Sequence, residues 1–219
     1  MFIPKLHYIS QGHTAEEHIK NIRRACIAGA TLVQLRLKSL PEKNLLKYAE
    51  EAREITLQFK TRLIINDYYK IAKATKADGI HLGKEDACAK VARNHLESWQ
   101  IVGSTANTLD DCKKLLEKKP DYIGLGPFRF SKTKENLSPV LGLKAYSVIL
   151  SALQSSTPII AVGGITLKDT RGLINTGVYG IAASSAITED FNNIPLFHQI
   201  LNETSTTEAI AKINSKIYL

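Results

Sequence analysis

The sequence predicts an α/β protein, a single (β/α)8 TIM barrel around a parallel eight-stranded sheet. Three observations predict it. Short apolar runs alternate with amphipathic helical stretches from one end of the chain to the other, which argues for a parallel sheet. Eight such strand–helix units fit into 219 residues, about 27 residues each, within the range of compact barrels. An open doubly wound sheet is the competing architecture, but no G-x-G-x-x-G fingerprint follows the first strand, and no Walker A motif is present. The barrel is expected over residues 1–204, with 205–219 a C-terminal extension packed on the same domain.

The elements follow in order. LHYIS (6–10) is the first strand, and Thr14 with Glu17 forms a capping box opening a helix that runs to Gly29. TLVQLRL from Thr31 is the second strand. Ser39 and Glu42 form a second capping box, with Pro41 near the helix start; Leu45, Ala49, Ala52, Ile55 and Phe59 recur on one face at the helical period. RLIIND from Arg62 precedes a helical YYKIAKATK, and GIHLG from Gly79 precedes a helix through CAKVARNHL. QIVGST is the fifth strand, followed by a helix opened by Thr108 and Asp111. YIGLGP is the sixth. The connection FRFSKTKENLSPVLG then leads to a helix starting near Lys144. PIIAVGG, a helix over TLKDTRGLINTG, the strand GIAASSAI and the helix IPLFHQILNET complete the pattern.

Composition narrows the function. Apolar residues at 44% and charged residues at 23% exclude a disordered, collagen-like or disulfide-stapled chain. The net charge of +8 favours an anionic partner, although a Lys-rich soluble surface gives the same sum. The basic residues are spread over many helices and aromatics are only 7%, so no nucleic-acid partner is expected. Cys26, Cys88 and Cys112 form no C-x-x-C pair and read as reduced thiols of a cytoplasmic protein. MFIPKLHYIS lacks a signal-peptide pattern, and no apolar run approaches a membrane span. A homo-oligomer is compatible with the sequence.

A barrel builds its site at the C-terminal strand ends, and the unusual polar residues fall there. In the second strand Val33, Leu35 and Leu37 alternate with Gln34, Arg36 and Lys38. The polar set points inward, where two cations need an anionic ligand or carboxylates from other strands. The third strand ends in Asn66-Asp67, and Gly83-Lys84-Glu85-Asp86 follows the fourth. Asp67 and Asp86 are each either helix N-caps or, together, a Mg²⁺ site. The 15-residue connection after the sixth strand carries Ser131, Thr133 and Lys134 and is long enough to suspect function. Gly163-Gly164 and Ser184-Ser185 occupy the usual phosphate position of the fold. His81 reads as a satisfied structural histidine.

VQLRLK, LIINDYYKIAKATKADGIHLGKED, DYIGLGPFRFSKTK, PIIAVGGI and TGVYGIAASSAI, in this order from Leu6 to Ile187, resemble the thiamine phosphate synthases. The resemblance implies a barrel that joins hydroxymethylpyrimidine diphosphate to thiazole phosphate, with Mg²⁺ as cofactor and these small molecules as partners. It implies that Gln34, Arg36, Lys38, Asn66 and Lys134 meet the diphosphate. Asp67 and Asp86 would bind the metal. Ser131 and Thr133 would be loop hydroxyls, and Gly164 and Ser185, with neighbouring Ser184, would hold the thiazole phosphate. The family's G-x-S-x-H is here Gly103-Ser104-Thr105-Ala106-Asn107, so Thr105 keeps a substrate-facing hydroxyl and Asn107 replaces the histidine. That replacement disfavours a thiazole tautomerase, whose acid–base histidine is expected near this position. A sugar-phosphate epimerase would leave the cations unexplained. A regulatory phosphate-binding barrel without synthase activity is the remaining alternative.

Overall fold

The strands are buried on both faces, and alternate residues along them pack in two separate clusters. Tyr8, Val33, Leu35, Leu63, Ile65, Ile80, Leu82, Val102, Ile123, Leu125, Ala161 and Ile181 pack in one cluster with the helices. Leu32, Ile64, Ile101, Tyr122, Ile160 and Ala182 form a second, inner cluster with Ile3. A sheet buried on both faces in this way must close on itself and be wrapped outside.

The computed structural model describes residues 2–38, 40–130 and 139–203. Its strands are β1 (Leu6–Ile9), β2 (Leu32–Leu35), β3 (Arg62–Asn66), β4 (Gly79–Leu82), β5 (Ile101–Ala106), β6 (Tyr122–Leu125), β7 (Ile159–Val162) and β8 (Gly180–Ala183). They pair in sequence order, all parallel, and β8 returns to β1 through Leu6–Ile181, His7–Ala182 and Tyr8–Ala183. The helices are α1 (Ala15–Ile27), α2 (Glu42–Gln58), α3 (Tyr69–Ala74), α4 (Ala89–His95), α5 (Leu109–Leu116), α6 (Gly142–Leu153), α7 (Leu167–Asn175) and α8 (Ser185–Thr188), and residues 193–203 form α9. The expected (β/α)8 barrel is therefore present. No helix among the described residues is long and apolar enough to cross a membrane.

Inside the barrel, large rings sit against glycines. The Tyr122 ring fills the space a Gly103 side chain would take, 2.1 Å from that Cβ position, and His81 does the same at Gly124, 2.9 Å away. His7 meets Tyr122 edge-on at 5.0 Å, and its Nε2–H donates to the Pro4 carbonyl at 3.0 Å. Burial lowers the His7 pKa to about 4, so it stays neutral. Two aspartates brace the opposite, N-terminal end. Asp78 accepts from Leu63 N at 2.8 Å and pairs with Arg53, while Asp121 accepts from Val102 N at 2.7 Å and pairs with Arg93. Each ties the strand before it to a helix, a stabilising role suited to that end.

Four details differ from the sequence reading. Glu42 opens α2 with Pro41 as N-cap and no side-chain cap bond; Ser39 lies outside the described residues. Phe59 caps the C-terminus of α2 and is 39% exposed, because the buried face ends at Ile55 and Thr56. β2 ends at Leu35, so Arg36 and Lys38 lie in the loop beyond the ladder. Ser185–Thr188 is a turn of helix rather than the end of β8. A capping box at Thr166 and Asp169, unread in the sequence, opens α7; that at Thr108 and Asp111 is as expected.

Candidate active site

The parallel strands all deliver their C-terminal ends to one mouth, and the polar residues gather there. Gln34 is buried at the top of β2, on the inward side shared with Leu32. Arg36 is half-buried just beyond the strand, and Lys38 is exposed. Burial works against the Arg36 charge, and the Asp67 carboxylate favours it. Asn66 is half-buried on the inward face of β3, in register with His81 of β4.

Asp67 and Asp86 are not helix caps: the N-caps of α3 and α4 are Tyr68 and Cys88. Asp67 instead turns at φ 67°, a left-handed conformation that aspartate tolerates, with its N–H bonded to the His81 carbonyl at 2.9 Å. Asp86 folds back to accept from Gly83 N at 2.5 Å. The Asp86 carboxyl lies close enough to Asp67 to disfavour its charge. Burial, then Asp86, push the Asp67 pKa up to about 7, against the pull of Arg36 and Lys38. Two oxygen-donor carboxylates held this close fit a small hard cation, which would favour the charged form of Asp67 and relieve the repulsion.

This arrangement has a pH signature. Ionisation of Asp67 is hindered in the folded state, so the metal-free barrel loses stability as pH rises from about 4 to about 7. A Mg²⁺ ion held here would have to displace the proton below pH 7. Its apparent affinity should therefore rise about tenfold between pH 6 and pH 8, and it should raise Tm more at the higher pH. Calorimetric titration at the two pH values checks this; a flat affinity would separate Asp67 from the cation.

Thr105 and His81 meet below the carboxylates. His81 Nε2 lies 2.9 Å from Thr105 Oγ1, its Nδ1 lies 2.9 Å from the Tyr122 hydroxyl, and its ring stacks on Tyr122 at 5.5 Å. Both ring nitrogens are thus engaged, as a structural histidine requires. Asn107 is buried and donates its amide Nδ2–H to the Gly126 carbonyl, tying β5 to β6. Ser131, Thr133 and Lys134 lie outside the described residues.

At the β7 and β8 ends, Gly163 and Gly164 adopt φ 101° and 66°. A Cβ at Gly164 would lie 2.5 Å from Arg129 Cγ, so both backbone and packing require glycine. Arg129, which the sequence reading passed over, donates to the Gly164 carbonyl at 3.1 Å and pairs with both oxygens of Asp169 at 2.8 and 2.7 Å. Ser184 donates to the Ile9 carbonyl at 2.9 Å. The Ser184 and Ser185 hydroxyls share the Gln11 side-chain oxygen at 3.2 and 3.1 Å. Gln11 was missed because an isolated glutamine after a first strand carries no pattern.

Comparison with known proteins shows the family. The family profile described as thiamine monophosphate synthase matches residues 6–187. The thiamine-phosphate synthase of Flavobacterium johnsoniae is 44% identical over 202 residues, 91% of this chain and 95% of that protein. That of Flavobacterium psychrophilum is 41% identical, covering 90% and 97%. The solved thiamine phosphate pyrophosphorylase of Pyrococcus furiosus superposes with TM-score 0.79 at 28% identity, covering 91% of this chain and 96% of its own. With the profile spanning nearly the whole barrel and these relatives matched almost end to end, the chain belongs to the thiamine monophosphate synthase family.

Proposed function

We propose that the protein is a thiamine-phosphate synthase, a transferase that joins hydroxymethylpyrimidine diphosphate to thiazole phosphate and releases pyrophosphate. The observation that carries the reading is the Asp67–Asp86 pair beside Arg36 and Lys38 at the barrel mouth. Two carboxylates facing two cations suit a diphosphate bound with a divalent metal. The opposite side of the mouth, with the Gly163-Gly164 turn and Ser185, suits a second, singly phosphorylated substrate.

In this reading the bond from the pyrimidine methylene carbon to the diphosphate oxygen breaks, and the electron pair leaves with pyrophosphate. The thiazole nitrogen then supplies the pair for the new C–N bond. Mg²⁺ held by Asp67 and Asp86 would supply charge neutralisation for the diphosphate. Arg36 and Lys38 share that role, and the resemblance adds Lys134. Gln34 and Asn66 orient the diphosphate, and Thr105, with Ser131 and Thr133, supplies hydroxyls. The nucleophilic nitrogen carries no proton, so the reaction needs no general base. The side-chain amide of Asn107, spent on Gly126, suits a site without one. The charge balance favours this reading over tautomerisation, which brings no diphosphate for Arg36 and Lys38 to meet.

Phosphorus NMR of a mixture of both substrates, Mg²⁺ and protein tests the reading. The diphosphate signals should give way to free pyrophosphate and a new phosphate monoester in equal amounts. Unchanged diphosphate with altered thiazole signals would instead indicate a tautomerase. Within this reading, Ser185→Ala should raise the KM for thiazole phosphate several-fold and leave that for the diphosphate unchanged, because its hydroxyl lies on the monophosphate side. Steady-state kinetics with each substrate varied in turn checks the division; the reverse order would reject it.

A further inference from the structure

The β1–β2 ladder ends in an unusual way. Ser10 N donates to the Gln34 carbonyl at 2.9 Å, so the next parallel rung would run from Arg36 N to the Ser10 carbonyl. Arg36 N donates instead to Ser10 Oγ, at 3.1 Å. The Ser10 side chain therefore takes the rung its own backbone would have made, and the chain leaves the sheet at Arg36. Ser10 Oγ also lies 2.7 Å from His18 Nδ1. With one proton and two lone pairs, the hydroxyl can accept from Arg36 and still bond to that nitrogen in either ring tautomer. Both residues are buried, Ser10 at 4% and His18 at 9% exposure. Burial and the nearby Arg36 charge lower the His18 pKa, which keeps the ring neutral and able to accept.

We infer that Ser10 and His18 are positioning residues for Arg36, setting where its guanidinium meets the diphosphate substrate. The inference rests on the synthase reading, in which Arg36 is a diphosphate contact. His18, anchored on α1, fixes the Ser10 rotamer, and Ser10 fixes the backbone of Arg36. A buried serine bonded only for stability could equally have continued the regular ladder. Without the hydroxyl, Arg36 N turns back to the Ser10 carbonyl and the side chain is redirected. Effects of this kind reach ten- to a hundredfold when the positioned group carries charge to a phosphate.

The experiment compares wild type, Ser10→Ala, Ser10→Thr and His18→Phe. Calorimetry with inorganic pyrophosphate and Mg²⁺ is run beside kinetics on both substrates. Ser10→Ala and His18→Phe should weaken pyrophosphate binding and raise the diphosphate KM about tenfold, with the thiazole phosphate KM unchanged. Ser10→Thr, which keeps the hydroxyl, should restore both to within about threefold. If Ser10→Ala is too unstable to purify, His18→Phe carries the same comparison. Wild type that binds pyrophosphate, with variants that bind it equally or shift both KM values alike, would overturn the positioning role alone. Wild type that binds no pyrophosphate would remove the diphosphate reading and this inference with it.

Discussion

Asp67→Asn should lower turnover by about a thousandfold, roughly 4 kcal/mol of transition-state stabilisation, and leave the barrel folded. Asparagine suits the test because it keeps the shape of the side chain and tolerates the φ of 67° that alanine would strain. It also removes the charge that burial, and then Asp86, oppose in pushing the Asp67 pKa up to about 7, so the metal-free variant should melt no lower than wild type. Chemistry and stability should thus move apart, as expected of a residue whose charge serves a ligand and opposes the fold. The check is kcat against Mg²⁺ concentration, with Tm measured alongside. A variant with unchanged kinetics across the metal titration removes Asp67 from the site.

Arg36→Ala should raise the KM for the pyrimidine diphosphate and lower kcat, together about a hundredfold in kcat/KM, with the thiazole phosphate KM little changed. Truncating one partner of a desolvated charge pair typically costs roughly 3 kcal/mol. Arg36 also pulls the Asp67 pKa down, so its loss should push that pKa further up. The pH at which Mg²⁺ becomes effective should then rise. Kinetics over a pH series reads both effects. An Arg36→Ala enzyme with normal diphosphate KM and an unshifted metal profile would separate Arg36 from both groups.

Much of this was legible in the sequence, for local reasons. The barrel follows from short apolar runs such as Leu63–Ile65 alternating with helical stretches and from capping pairs such as Thr108 and Asp111, both short-range signals. The clustering of Arg36, Asn66, Asp67 and Asp86 followed from the rule that every strand end meets at one mouth. What stayed hidden depends on contacts between distant segments. That Asp67 does not cap α3 needed the left-handed turn that precedes the helix. Arg129 over Gly164, and Gln11 under Ser184 and Ser185, are pairings 35 and over 170 residues apart in sequence. The short helix at Ser185 was read as strand because GIAASSAI is apolar and small throughout, a composition that fits either.

The most direct test of the central claim is a coupled reaction with purified protein, hydroxymethylpyrimidine diphosphate and thiazole phosphate, in Mg²⁺ or in EDTA. Product is read by fluorescence after oxidation of the thiamine phosphate. Formation in Mg²⁺, loss in EDTA and recovery when Mg²⁺ is restored in excess is the predicted result. No product at any Mg²⁺ concentration, from protein that still binds thiazole phosphate, would contradict it. That outcome would leave a phosphate-binding barrel that does not join the two substrates.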